Sequence, residues 1–352
     1  MTRLPAEWEP QAAVMLTWPH AGTDWAARLP VIEALYDALA AAIARFEPVL
    51  IVCQDPAHRE AVAARLASAG VASSRRRLVL APSDDTWARD HGPITVLADG
   101  AAEVVDFRFN GWGGKYPAER DDRITATLHG VGVFGAAPRR PVDLVLEGGA
   151  IESDGRGTLL AMTRTLVDAR RNPGRDRAAI EAVLAETLGA TRFLWLEHGQ
   201  LSGDDTDGHI DTLARLCAPD TIAYVRCDDP SDPDYPGLAA MEHELRAFRQ
   251  ADGQPYRLVA LPHPRPVHNA HGERLAAGYA NFLIIDGAVL VPVYGDPADA
   301  AALRIIADLF PGRAVLPLDA RPLIEQGGSL HCLTMQLPAA LTLAGDAAPP
   351  QP

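Results

Sequence analysis

PITVLADGAAEVVDFRF, residues 93–109, sets two β-prone apolar runs on either side of Asp99-Gly100. Asp-Gly is a preferred two-residue type I′ connection, because both residues reach positive φ at little cost and the turn's twist matches the strands it joins. The device recurs at Asp154 in GAIESDGRGTLLAMT (149–163) and at Asp286 in NFLIIDGAVLVPVYG (281–295). A fourth hairpin, HIDTLARLCAPDTIAYVRC (209–227), turns near Pro219, so successive turns lie about 55, 65 and 67 residues apart. Amphipathic helical stretches cover about 57–69, 119–129, 175–188, 236–250 and 298–310. In LPVIEALYDALAAAIARF (29–46), Val31, Leu35, Leu39, Ile43 and Phe46 fall on one helical face. Short β-runs (VLIVC, RLVLA, FLWL, YRLVAL) lie between the helices. Helix–strand alternation alone suggests a parallel α/β sheet. The hairpins change that reading to a repeated β-β-α-β unit arranged around an axis.

The chain has 352 residues, 48% of them hydrophobic, as suits a globular protein with a sizeable core. Cys53, Cys217, Cys227 and Cys332 show no CxxC spacing, so they form neither a zinc module nor a disulfide framework. The N-terminus carries Glu7 and Glu9 and lacks the apolar core of a signal peptide, and nothing approaches a membrane span. A soluble, cytoplasmic protein is expected. A net charge of -14 argues against nucleic acid and suits a small cation. Lys115, in FNGWGGKYP, is the sole lysine among 32 basic residues.

Polar residues recur where each hairpin begins. WARDHGPI brings Asp90 to the first, LEGGA brings Glu147 to the second, and TDGHIDT brings His209 and Asp211 to the hairpin at Pro219. GGSLHC ends in Cys332. If the repeats circle an axis, these ends converge in one cleft. Cys332 is then either an inert core thiol or a nucleophile. On strand periodicity His209 and Asp211 face the same way, whereas His331 points away from Cys332 and is a poor partner for it. His209 is the better base. Three carboxylates, one imidazole and one thiol make a poor zinc site, but the carboxylates would suit a guanidinium, which is planar and always charged.

WARDHGP, FNGWGGKYP, LEGGAIESDG, RNPG, DDTDGHIDT, YANFLIIDG and GGSLHCLTMQ, in that order, resemble the agmatine deiminases of the porphyromonas-type peptidylarginine deiminase family, within the guanidino-modifying (pentein) superfamily. The match runs from about residue 4 to residue 338. The resemblance implies an α/β fold, a five-bladed α/β propeller of pseudo-fivefold ββαβ repeats around a central active site. It would form a single catalytic domain over 1–340, followed by a disordered tail over 341–352. It implies Cys332 as nucleophile, His209 as general acid and base, and Glu147, Asp90 and Asp211 as the carboxylates that hold the guanidinium and assist proton transfer. Trp87 would line the site, although core packing explains its spacing equally well. Gly327 and Gly328 would let the chain approach the substrate closely.

The implied reaction hydrolyses agmatine to N-carbamoylputrescine and ammonia through a covalent S-alkylthiouronium intermediate, on the route to putrescine, with no metal or organic cofactor. A homodimer is a further expectation. Alternatives are deimination of free or peptidyl arginine, and a non-catalytic propeller acting as a binding module. Relatives that act on C-terminal arginine need a cationic clamp, for which this chain offers only Lys115 in the matching segment; that leans towards agmatine. Family members often carry a Thr-Glu pair after the second hairpin, where this chain has Arg164.

Overall fold

The computed structural model describes residues 2–344. The described residues form two compact units, one comprising 2–5, Glu9–Gly148 and 332–344, the other Ala6–Trp8 and Gly149–His331.

The first unit holds two sheets. In one, the strands Ile94–Ala98 and Ala101–Arg108 form the expected antiparallel hairpin. The chain then passes through the helix Ile124–Gly130 and returns as Arg139–Val145, parallel to the second strand of the hairpin. Thr2–Arg3 pairs on the outer edge. The other sheet joins the two ends of the sequence: Thr334–Pro338 lies antiparallel to Gln11–Thr17. Helices Leu29–Ala44 and Pro56–Ser68 then lead to the parallel strands Val49–Cys53 and Arg76–Leu80. Val49–Cys53 is buried at every position, which is why VLIVC reads as an unbroken apolar run rather than an alternating one.

The second unit repeats the same pattern three times. Ile151–Ser153 and Thr158–Met162 pair antiparallel, and Arg192–Leu196 returns parallel after the helix Arg177–Leu188. Ala214–Ala218 and Thr221–Arg226 are followed by the helix Tyr235–Ala247 and the strand Arg257–Pro262. Leu283–Ile285 and Ala288–Val293 are followed by Asp299–Leu309 and Ala314–Asp319. Local chemistry sets the helix ends. Asp176 caps Arg177–Leu188 by accepting from the Ala179 N–H, and Gly189 closes it in the left-handed conformation at φ 70°. Among the described residues one unit holds two ββαβ repeats and the other three, which together make the five repeats expected.

Two details depart from the sequence reading. Only the first Asp-Gly turn has both residues left-handed, Asp99 at φ 50° and Gly100 at φ 86°, as type I′ requires. At Asp286-Gly287 only the glycine is left-handed. At Asp154 the loop is longer, because the Asp154 carboxylate accepts from the Arg156 and Thr158 N–H groups. In the first long helix, Val31 is 48% exposed, and the buried face is Ile32, Leu35, Tyr36, Leu39, Ala40 and Ile43. Of the expected tail, Leu341 is buried and the Ala344 N–H donates to the Val133 carbonyl; the remainder lies outside the described residues.

Candidate active site

Five of the candidate residues lie in the first unit. Asp90 sits on the four-residue helix Ala88–His91 and is buried. Its Oδ2 accepts a hydrogen bond of 2.9 Å from the indole Nε1 of Trp112. Trp112 is not among the residues that the sequence singles out. It lies in the FNGWGGKYP segment, where Gly111, Trp112, Gly113 and Gly114 take φ values of 66°, 55°, 83° and 80°. This is one turn of left-handed backbone, open to glycine and costing about 1–2 kcal/mol for an ordinary residue. At Gly111 a Cβ would also lie 2.2 Å from the Tyr116 carbonyl oxygen. The glycines therefore aim the indole at Asp90, and its ring packs edge-on against Phe109 and Tyr116. Lys115, half-buried, ends this turn by donating its N–H to the Gly111 carbonyl.

Cys332 is 2% exposed and belongs to a turn that precedes the strand Thr334–Pro338. The Arg89 N–H donates to its carbonyl at 3.1 Å, and the Arg89 guanidinium bonds the Gln336 side chain. Glu147, wholly buried, follows the strand Arg139–Val145. Its neighbour Gly148 packs so closely that a Cβ there would lie 2.2 Å from the Arg89 carbonyl oxygen and 2.9 Å from the Met335 methyl. The segments carrying Asp90, Glu147 and Cys332 are thus packed on one another around Arg89. Trp87 is buried too, its ring 6.0 Å from that of Trp25, so it serves the core whatever else it does. Beside it, burial pushes the Asp85 carboxyl up to about 7, against the hydrogen bonds it accepts from Thr86 and Trp87.

His209, Asp211 and Gly328 lie in the second unit. His209 is wholly buried and precedes the 3-10 turn Ile210–Thr212, so the strand alternation assumed for His209 and Asp211 does not apply. Two consecutive left-handed residues lead into it, Asp207 at φ 65° and Gly208 at φ 87°. Asp204 holds this loop by accepting from the Thr206 hydroxyl and the Gly208 N–H, and the Thr206 hydroxyl in turn accepts from the His209 N–H. Arg164, which stands where family members often carry a Thr-Glu pair, lies against Gly208: a Cβ there would come within 2.2 Å of its guanidinium. It bonds the Gly199 carbonyl and, at 3.0 Å, the Gln200 side chain. It thus packs against the loop that leads to His209. Gly328 lines a small cavity with Thr212, Asn281 and Ser329, and the buried Ser329 hydroxyl has no hydrogen-bond partner among the described residues.

Asp211 is wholly buried, and its Oδ2 meets Nδ1 of His331 at 2.7 Å. Burial pushes this carboxyl up. The hydrogen bond to His331 and the charges of His331, His209 and Arg215 outweigh that and hold it below its usual value. The other ring nitrogen of His331, Nε2, meets Glu7 Oε1 at 2.7 Å. Arg215, fully buried, bonds Glu7 at 2.5 Å, the Glu152 carboxylate, and the carbonyls of Ala280 and Phe282. Strand alternation sets His331 aside in the sequence. It fails because residues 330–333 form a turn, not a strand.

Fold and residues together define a pentein: five ββαβ repeats bearing a buried thiol, an imidazole and several buried carboxylates. The chain belongs to the Porphyromonas-type peptidyl-arginine deiminase family, whose model matches residues 3–338. An agmatine deiminase from Ectopseudomonas mendocina is 36% identical, over 96% of this chain and 95% of its own. Among solved structures, a C. jejuni agmatine deiminase with substrate bound is 32% identical, with a TM-score of 0.88 over 96% of both chains. A Porphyromonas gingivalis protein, provisionally named an arginine deiminase, is 48% identical, with a TM-score of 0.89 over 97% of this chain and 99% of that one.

Proposed function

We propose that the chain is an agmatine deiminase, a hydrolase that converts agmatine and water to N-carbamoylputrescine and ammonia in putrescine synthesis. The observation that carries this reading is the packing of the Asp90, Glu147 and Cys332 segments around the backbone at Arg89, in a chain that matches agmatine deiminases over 96% of its length. Buried carboxylates need a cation, and a guanidinium supplies one with donors arranged in a fork. In this reading Asp90, Asp211 and Glu147 hold it, Trp87 and Gly328 shape the binding site, and Cys332 forms a carbon–sulfur bond to its central carbon. The tetrahedral adduct collapses as His209 protonates the departing nitrogen, releasing ammonia and leaving an S-alkylthiouronium. Water, losing a proton to His209, then adds to the same carbon. Cleavage of the carbon–sulfur bond returns the thiolate and leaves the ureido group.

The preference for agmatine rests on charge. The assigned groups are mostly acidic, and an incoming carboxylate would need a cationic partner that only Lys115 or Arg164 is a candidate to supply. The 48% identical protein named an arginine deiminase favours a second reading, in which free or peptidyl arginine is the substrate. Ammonia release from agmatine, arginine and a peptide ending in arginine, run side by side, decides between them; arginine turned over within a few-fold of agmatine would overturn the first. No helix among the described residues is long and apolar enough to cross a membrane. In the proposed reading the enzyme works in the cytoplasm, as a homodimer and without nucleic acid, and light scattering of the purified protein tests the dimer.

A further inference from the structure

The reaction as assigned uses Asp211 but says nothing of what fixes its carboxylate. Asp211 is buried, and a buried carboxylate held by nothing would turn or take up a proton. His331 meets it at 2.7 Å through Nδ1 and meets Glu7 at 2.7 Å through Nε2. An imidazole nitrogen that carries a proton donates to the carboxylate it faces, and His331 has one ring nitrogen toward each of the two. Glu7 is itself anchored by Arg215 at 2.5 Å, and Arg215 by Glu152 and by the Ala280 and Phe282 carbonyls. The His331 backbone is pinned as well, its N–H donating to Asn281 Oδ1 at 3.0 Å. Asn281 also reaches the Asp211 carbonyl at 3.4 Å. Every contact in this chain of charges lies within the second unit.

We propose that His331 is a positioning residue for the deiminase reaction: clamped between Glu7 and Asp211, it fixes the orientation and the negative charge of the Asp211 carboxylate. The inference rests on the role given to Asp211 above, and it makes the histidine next to the nucleophile a partner of that carboxylate rather than of the thiol. The charged groups that act on Asp211 include His331, His209 and Arg215, with Glu7 and Glu152 one contact further out.

Two nearly isosteric substitutions separate the two hydrogen bonds. In His331→Asn the amide nitrogen falls near the place of Nδ1 and still reaches Asp211. In His331→Gln it falls near the place of Nε2, reaching Glu7 and losing Asp211. Wild-type turnover of agmatine is measured first, so failure of the reaction assignment is seen separately. For folded variants with similar melting temperatures, His331→Gln is expected to lose about 10- to 150-fold in kcat/KM, the range for a hydrogen bond to a charged group. His331→Asn should retain at least ten times the activity of His331→Gln. The acid limb of the kcat/KM profile should move to higher pH in His331→Gln, because Asp211 has lost its donor. Equal losses in the two variants, or a His331→Gln enzyme with wild-type kcat/KM and pH profile, would overturn the proposal. If His331→Gln does not fold, Glu7→Ala carries the test by removing the outer anchor. A several-fold loss with a raised acid limb supports the clamp, and a wild-type profile overturns it.

Discussion

Replacing Trp112 by phenylalanine tests how Asp90 is held. The substitution removes the 2.9 Å hydrogen bond from Nε1 to Asp90 Oδ2 and leaves an aromatic ring to pack against Phe109 and Tyr116. Trp112 and Asp90 are both buried, so water does not simply replace the lost donor. Hydrogen bonds to charged groups contribute about 1.5–3 kcal/mol. At about 1.4 kcal/mol per decade, kcat/KM for agmatine should fall roughly 10- to 150-fold. If Asp90 grips the guanidinium in both ground and transition states, most of the loss appears as a raised KM. Phenylalanine inherits the same left-handed backbone as Trp112, so the comparison does not mix in relief of strain. The assay is ammonia release under steady-state conditions for wild type, Trp112→Phe, Asp90→Asn and the double variant. If the indole acts through Asp90, the double variant is no worse than Asp90→Asn alone. Additive losses, or a Trp112→Phe enzyme within twofold of wild type, would refute the reasoning.

Cys332→Ser should abolish turnover while leaving the melting temperature nearly unchanged; intact-mass spectrometry during turnover of a slow substrate should show an adduct on wild type only. Gly148→Ala should lower both activity and melting temperature, since its Cβ meets the Arg89 carbonyl at 2.2 Å and the strain falls beside Glu147; full activity would show that this contact yields freely. Lys115→Arg should lower kcat/KM if a compact ammonium is needed at that turn, and an unchanged value would leave the sole lysine without a role. Asp85→Asn should flatten the pH dependence of stability: with its carboxyl raised to about 7, the native state holds a proton that the unfolded chain releases near 4. Wild-type stability therefore falls as pH rises between those values, by at most about 4 kcal/mol from this group, and melting curves from pH 4 to 8 would show the variant's shallower slope.

What could be read in the sequence was whatever local chemistry encodes. Asp99-Gly100 announces its hairpin because two neighbouring residues must both take positive φ, and the helix after each hairpin repeats its own apolar spacing. The pairing of Thr334–Pro338 with Gln11–Thr17 leaves no such mark, since its two strands stand at opposite ends of the chain. Trp112 was equally hidden, although the flanking Gly-x-Gly-Gly could have signalled a left-handed turn aiming a side chain. Lys115, as the sole lysine, is the conspicuous residue of that segment instead.

The clamp on Asp211 was hidden for a different reason. Arg215 is one of many arginines, Glu7 lies in an N-terminal segment with no apolar core, and strand periodicity misplaces His331, which sits in a turn. Only the fold brings them together, and burial changes what their charges mean. Buried ion pairs seldom stabilise a protein more than apolar groups of the same volume would, although removing one partner costs about 3–5 kcal/mol. Hydrophobic side chains in place of Glu7, Glu152, Arg215 and His331 could fill the same space and hold the fold as well. They could not hold a neighbouring carboxylate ionised in one orientation, and the network ends on such a carboxylate, Asp211.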